Sequence, residues 1–158
     1  MSNVHKRFRK ETELQFLVTA QELQFELTKF VMRDKNIPKK WRLIIAQPIV
    51  EKVDELLDNL HYANTIYPTN KIEYEMRSKY QTLAVCNCWQ LHNKIVKMIE
   101  CVQSVKIENL EKIAELLTNA EVLIKKWKKT DKERFKKLFA ENETTADVNT
   151  EKQTSHLL

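Results

Sequence analysis

Glycine is absent from this 158-residue chain. At the average usage of roughly 7%, about eleven glycines would be expected. A Walker loop, a dinucleotide fingerprint and a nucleophile elbow each need glycine where the backbone bends sharply or touches phosphate, so all three are excluded. Two-residue β-hairpins favour positive φ and become improbable for the same reason. Proline is scarce, with three residues. No apolar run approaches the roughly 18–20 residues of a membrane span. The basic N-terminus MSNVHKRFRKETELQF has no unbroken apolar segment after it, because Glu11, Glu13, Gln15 and Glu22 interrupt it. A secretory signal is therefore not expected. These absences leave a helical chain and point away from nucleotide-dependent enzymes.

Side chains suited to metal or redox chemistry are few and scattered. Cys86 and Cys88 are two apart in one predicted helix, about 200° around it, and do not converge locally on a metal. With Cys101 they read as three small core residues in a reducing cytoplasm. The four histidines, His5, His61, His92 and His156, include no pair at i,i+4 spacing and no HExxH. Asp58-Asn-Leu-His61 is one loose match to the carboxylate-x-x-His pattern of di-iron bundles, which needs two copies. No metal, no cofactor and no catalytic residue is expected.

What is present is helical periodicity. The first predicted helix covers about Thr12–Arg33, with an apolar stripe at Phe16, Ala20, Leu23, Leu27, Phe30 and Val31. A second set, Leu14, Leu17, Val18 and Phe25, lies nearly opposite and needs a second cover. It is the candidate oligomer interface. After the turn Asp34-Lys35-Asn36-Ile37-Pro38, a second helix covers about Lys39–Ile66. Its stripe is Ile45, Ile49, Val53, Leu56, Leu60, Ala63 and Tyr67, with a kink or broken first turn expected at Pro48. Asn70, with Glu73 three residues on, caps a third helix over about Lys71–Gln103. Its predicted stripe is Met76, Tyr80, Ala84, Cys88, Leu91, Ile95, Ile99 and Val102. A fourth helix covers about Glu108–Lys129, with Leu110, Ile113, Leu117, Ala120, Ile124 and Trp127. Thr130 and Glu133 suggest a second capping box and a short fifth helix, Asp131 to about Phe139. The expected architecture is all-α: an up-down-up-down four-helix bundle over residues 12–139, a basic arm over 1–11 and a disordered tail over 140–158.

Charge is unevenly distributed, with 27 Lys and Arg against 22 Asp and Glu. Residues 1–10 carry Lys6, Arg7, Arg9 and Lys10 and no acid. Residues 125–137 carry Lys125, Lys126, Lys128, Lys129, Lys132, Arg134, Lys136 and Lys137 against Asp131 and Glu133. A helix dipole accounts for one or two such cations in a last turn, not eight in thirteen positions. Alternating helix directions place both runs at one end, with Lys71, Arg77 and Lys79 nearby. That end is the candidate nucleic-acid surface. Trp127 and Phe135 interleave with the cations and could stack on bases, although Trp127 also fits the core stripe. A smaller group, Arg33, Lys35, Lys39, Lys40 and Arg42, lies at the other end.

Four segments fall in order along the chain: IPKKWRLIIAQ (Ile37–Gln47), ANTIYPTN (Ala63–Asn70), EYEMRSKYQTLAVC (Glu73–Cys86) and WKKTDKERFKK (Trp127–Lys137). Together they resemble the accessory variability determinant proteins of diversity-generating retroelements, within the four-helix-bundle family encoded in intervening sequences of ribosomal RNA genes. Where that family usually has Gly before the Gln, this chain has Ala46, and Pro48 follows Gln47. The resemblance implies a cytoplasmic, non-catalytic homopentamer that binds a reverse transcriptase and RNA or DNA, and that supports copying of template RNA into mutagenised cDNA. The competing reading is a structural or partner-binding helical oligomer of the intervening-sequence type, with lysines that serve solubility. Neither reading calls for a membrane.

Overall fold

The computed structural model describes residues 14–138. The basic arm, with Lys6, Arg7, Arg9 and Lys10, and the tail over 140–158 lie outside them, as do the expected limits at Thr12 and Phe139. Four α-helices make up the described chain: α1 (Gln15–Met32), α2 (Gln47–Thr65), α3 (Lys71–Cys101) and α4 (Glu111–Arg134). There is no strand among the described residues. None of these helices is long and apolar enough to cross a membrane.

The main stripes of α1, α2 and α4 form the core together with Ala84, Val85, Cys88, Leu91 and Met98 of α3. Phe16, Ala20, Leu23, Leu27, Phe30 and Val31 of α1 meet Ile49, Val53, Leu56 and Leu60 of α2 and Ile113, Leu117 and Ile124 of α4. Contacts between helices run in opposite chain directions. On α3 and α4, Arg77, Thr82 and Trp89 meet Asp131, Lys128 and Glu121 in turn. On α2 and α3, Asn59 meets Asn87 and Tyr62 meets Tyr80. Lys112 near the start of α4 reaches Glu22 and Glu26 on α1 at 3.1 and 3.5 Å, while Trp127 near its end stacks on Phe16.

A buried amide pair sets the α2–α3 register. Asn59 Nδ2 donates to Asn87 Oδ1 at 2.7 Å, and both residues are buried. A shift by one helical position would leave both amides without partners in an apolar setting, at roughly 1–3 kcal/mol for each orphaned group.

Helix ends follow from the missing glycine. No described residue has positive φ. The left-handed glycine cap that closes many helices is therefore not used. Instead α1, α2 and α3 leave into extended backbone at Arg33, Ile66 and Val102. Side chains take over the freed carbonyls: Asn36 Nδ2 donates to Phe30 O at 2.9 Å, and Arg77 Nη1 donates to Ala63 O at 3.2 Å and Ile66 O at 2.8 Å. The start of α3 is capped as the sequence suggests. Asn70 Oδ1 accepts from Glu73 N at 3.0 Å, and the Glu73 carboxylate accepts from the backbone and hydroxyl of Thr69. Those Thr69 bonds hold the Glu73 carboxyl below the usual range.

The expectation at Pro48 holds, and those for the fifth helix, the first half of α3 and the cysteines need correction. Pro48 does break the first turns of the second helix. A 3-10 turn at Lys39–Trp41 and a π-helical turn at Arg42–Ala46 precede α2, and Pro48 sits in its first turn, a position that proline tolerates. The break expected before Asp131 falls later: α4 runs unbroken through Thr130 to Arg134, a turn follows at Phe135 and Lys136, and Lys137 and Leu138 are helical again at the edge of the described residues. The Thr130 hydroxyl bonds back to Lys126 O at 3.0 Å instead of capping a new helix, and Asp131 is anchored in the core. The first half of α3 turns a different face inward. Met76 is exposed and Tyr80 half-buried, whereas Tyr74, Arg77 and Gln81 are buried. Of the three cysteines only Cys88 is buried; Cys86 is half-buried and Cys101 exposed.

Candidate nucleic-acid interface

One end of the molecule gathers the start of α1, the end of α2, the start of α3 and the end of α4. Its centre is a buried ion pair. Arg77 Nε donates to Asp131 Oδ2 at 2.6 Å, and Gln81 Nε2 donates to the same oxygen at 2.6 Å. Arg77 is 6% and Asp131 1% exposed. The guanidinium also lies 4.8 Å from the centroid of Trp127, whose ring stacks on Phe16 at 4.0 Å and 12°. Phe135 closes the end, buried between Tyr67 and Tyr74.

This geometry sorts the expected phosphate-binding residues. Arg77 leaves the set: its Nε and Nη1 donors are committed to Asp131 and to two carbonyls, and it is buried. Phe135 is buried, and the Trp127 ring is taken by Phe16 and Arg77, so neither offers a face to a base. Lys125 pairs with Glu121 and lies 5.3 Å from the Trp89 ring centroid, and Lys128 donates to Thr82 Oγ1 at 2.6 Å. Lys125 first, then the Trp89 indole, lowers the Glu121 carboxyl from its ordinary value. Lys126, Lys129, Lys132, Arg134, Lys136 and Lys137 are exposed. Lys79 is exposed between Arg77 and Thr82 on α3, level with the last turns of α4.

Burying Asp131 changes the surface charge. Its negative charge is spent on Arg77, so Glu133 is the exposed acid facing eight cations over residues 125–137. At the opposite end, Arg42 pairs with Asp34, and Lys39 and Lys40 are exposed.

The candidate oligomer face divides in two. Leu14 and Leu17 are half-buried and pack on the chain's own core, while Val18 and Phe25 are 51% and 59% exposed. Met32, also exposed, extends this line at the same seven-residue spacing, a feature missed in the sequence. Burial raises the Cys88 thiol to about 12, which removes it as a nucleophile near neutral pH. No group of three or more His, Cys, Asp or Glu is placed to hold a metal ion among the described residues.

Two residues that shape this end escaped the sequence reading. Tyr67, assigned to the core stripe of the second helix, lies beyond its end and is 72% exposed. Asp131, counted as a surface acid, continues the inward spacing of Ala120, Ile124 and Trp127. That spacing was the available signal. Comparison with protein families, with curated proteins and with solved structures finds no match to this chain.

Proposed function

We propose that this chain is a non-catalytic, oligomeric accessory protein of the cytoplasm that binds RNA or DNA, joins a reverse transcriptase and supports copying of template RNA into mutagenised cDNA. Its four helices form an up-down-up-down bundle, a reading supported by the opposed chain directions of the helix contacts. The carrying observation is the end of α4, where Lys126, Lys129, Lys132, Arg134, Lys136 and Lys137 are exposed and Asp131 is withdrawn inside. Like charges held this close repel one another, and a polyanion relieves that repulsion. The link to a reverse transcriptase rests on the four resembling segments.

The test is a salt titration of the full chain with a short RNA strand, followed by fluorescence anisotropy. Phosphate neutralisation gives a linear fall of log affinity with log salt, about 0.7 for each phosphate of a single strand that is neutralised. A flat response, or no binding at low salt, overturns the reading.

A second reading, a helical oligomer that serves a partner or itself, is favoured by the line Val18, Phe25 and Met32 on α1. An unpartnered apolar row at this spacing is suited to another helix. Light scattering on the full chain should then give a closed assembly, five subunits if the resemblance holds. A monodisperse monomer at micromolar concentration removes the oligomer from both readings.

A further inference from the structure

A cleft of about 420 Å³ opens beside the buried ion pair, between the start of α1, the end of α2 and the last turns of α4. Lys126, Thr130 and Arg134 come to it from α4, Gln15 from α1, and Asn64 and Tyr67 from the end of α2. Its volume falls in the range of pockets that hold one small ligand, roughly 300–1,000 Å³, and is too small to track a strand over many residues. Its floor carries little net charge, because Arg77 and Asp131 neutralise each other there.

Two features of the rim select the ligand. Lys126 and Arg134 are eight residues apart on one helix, about 12 Å along its axis at 1.5 Å per residue. Cations so spaced suit two anionic groups on either side of the cleft better than one group within it. Of the three rings that line the cleft, Phe16 is buried, the Trp127 ring is taken, and Tyr67 is 72% exposed, its ring perpendicular to that of Phe135 at 6.0 Å between centroids. Tyr67 thus offers an open aromatic face beside the cations. The amides of Gln15 and Asn64 carry both donors and acceptors, which suits the polar edge of any base. An acidic peptide would satisfy the cations but leave the aromatic face idle.

We infer that this cleft takes one unstacked nucleotide of a single strand, with its base on Tyr67 and the phosphates before and after it at Lys126 and Arg134. The assignment rests on the nucleic-acid reading above and adds a discrimination to it. A duplex keeps its base faces stacked inside and reaches only the cations, whereas a single strand engages cations and ring together.

The experiment uses the full chain, a ten-residue uridine strand, a duplex of the same length and uridine monophosphate. Tyr67→Ala should weaken the single strand roughly tenfold, the effect of losing one stacked base. It should leave duplex affinity and the salt slope unchanged, with at most a small fall in thermal midpoint from the lost Phe135 contact, and Tyr67→Phe should restore the single strand. Lys126→Gln with Arg134→Gln should lower the single-strand salt slope by about 1.4, for two phosphates. If Tyr67→Ala leaves single-strand affinity intact while the cation replacements still reduce it, the cleft assignment fails and the nucleic-acid reading stands. If the unaltered chain binds neither strand nor duplex, that reading fails as well. Binding of uridine monophosphate as tightly as the ten-residue strand overturns the two-phosphate arrangement.

Discussion

Asp131→Ala is expected to lower the free energy of unfolding by about 3–5 kcal/mol, the usual cost of removing one partner from a buried ion pair. The loss is large because the Arg77 guanidinium would remain charged in the core, with Gln81 also deprived of its acceptor. A urea titration followed by circular dichroism would report a lower midpoint with little change in slope. The paired replacement Arg77→Met with Asp131→Leu separates charge from architecture. Removing both charges restores most of the loss, since an apolar pair of similar volume can match a buried ion pair. It does not restore all of it, because the carbonyls of Ala63 and Ile66 lose their donor. An unchanged midpoint in Asp131→Ala would mean that the pair contributes nothing to stability.

The second large effect concerns binding. Lys126, Lys129, Lys136 and Lys137 replaced together by Gln should cut the salt slope for a single-stranded RNA by about 0.7 for each phosphate that is no longer neutralised. Affinity at low salt should fall in parallel. These four are chosen because they are exposed, whereas Lys125 and Lys128 hold Glu121 and Thr82 and their removal would mix packing with charge. Replacing Lys35, Lys39 and Lys40 at the other end serves as the control and should leave the slope in place. A larger effect from the control set would move the interface to the opposite end. No effect from either set would leave the lysines to solubility and favour the oligomer reading.

Most of the fold could be read from residue order, and the reasons are physical. Stripes made wholly of apolar residues, as in α1 and the body of α4, declare their inward face by composition. The first half of α3 does not, because its inward positions hold Tyr74, Arg77 and Gln81 while Met76 on the outside looks more suited to the core. The spacing Arg77, Gln81, Ala84, Cys88, Leu91 was nonetheless regular. So was Ala120, Ile124, Trp127, Asp131. Two charged residues of opposite sign, each continuing a core stripe on a different helix, form a pattern that composition hides and periodicity retains. The cationic end was legible because eight basic groups crowd into thirteen positions. The exposed face of Tyr67 was not, since it depends on where α2 stops.

Arg77 has a consequence for how this chain folds. A helix closed by a local glycine turn finishes itself, but the last carbonyls of α2 are closed by a side chain from the next helix, itself oriented by an aspartate from the one after. The last turn of α2 can therefore be complete only once α3 and α4 are in place. Backbone amides there should exchange with solvent in step with the loosening of α4 rather than with the middle of their own helix. A chain without glycine has thereby tied the completion of a local element to the assembly of the whole. The end that carries its lysines becomes the region where partial folding is least able to persist.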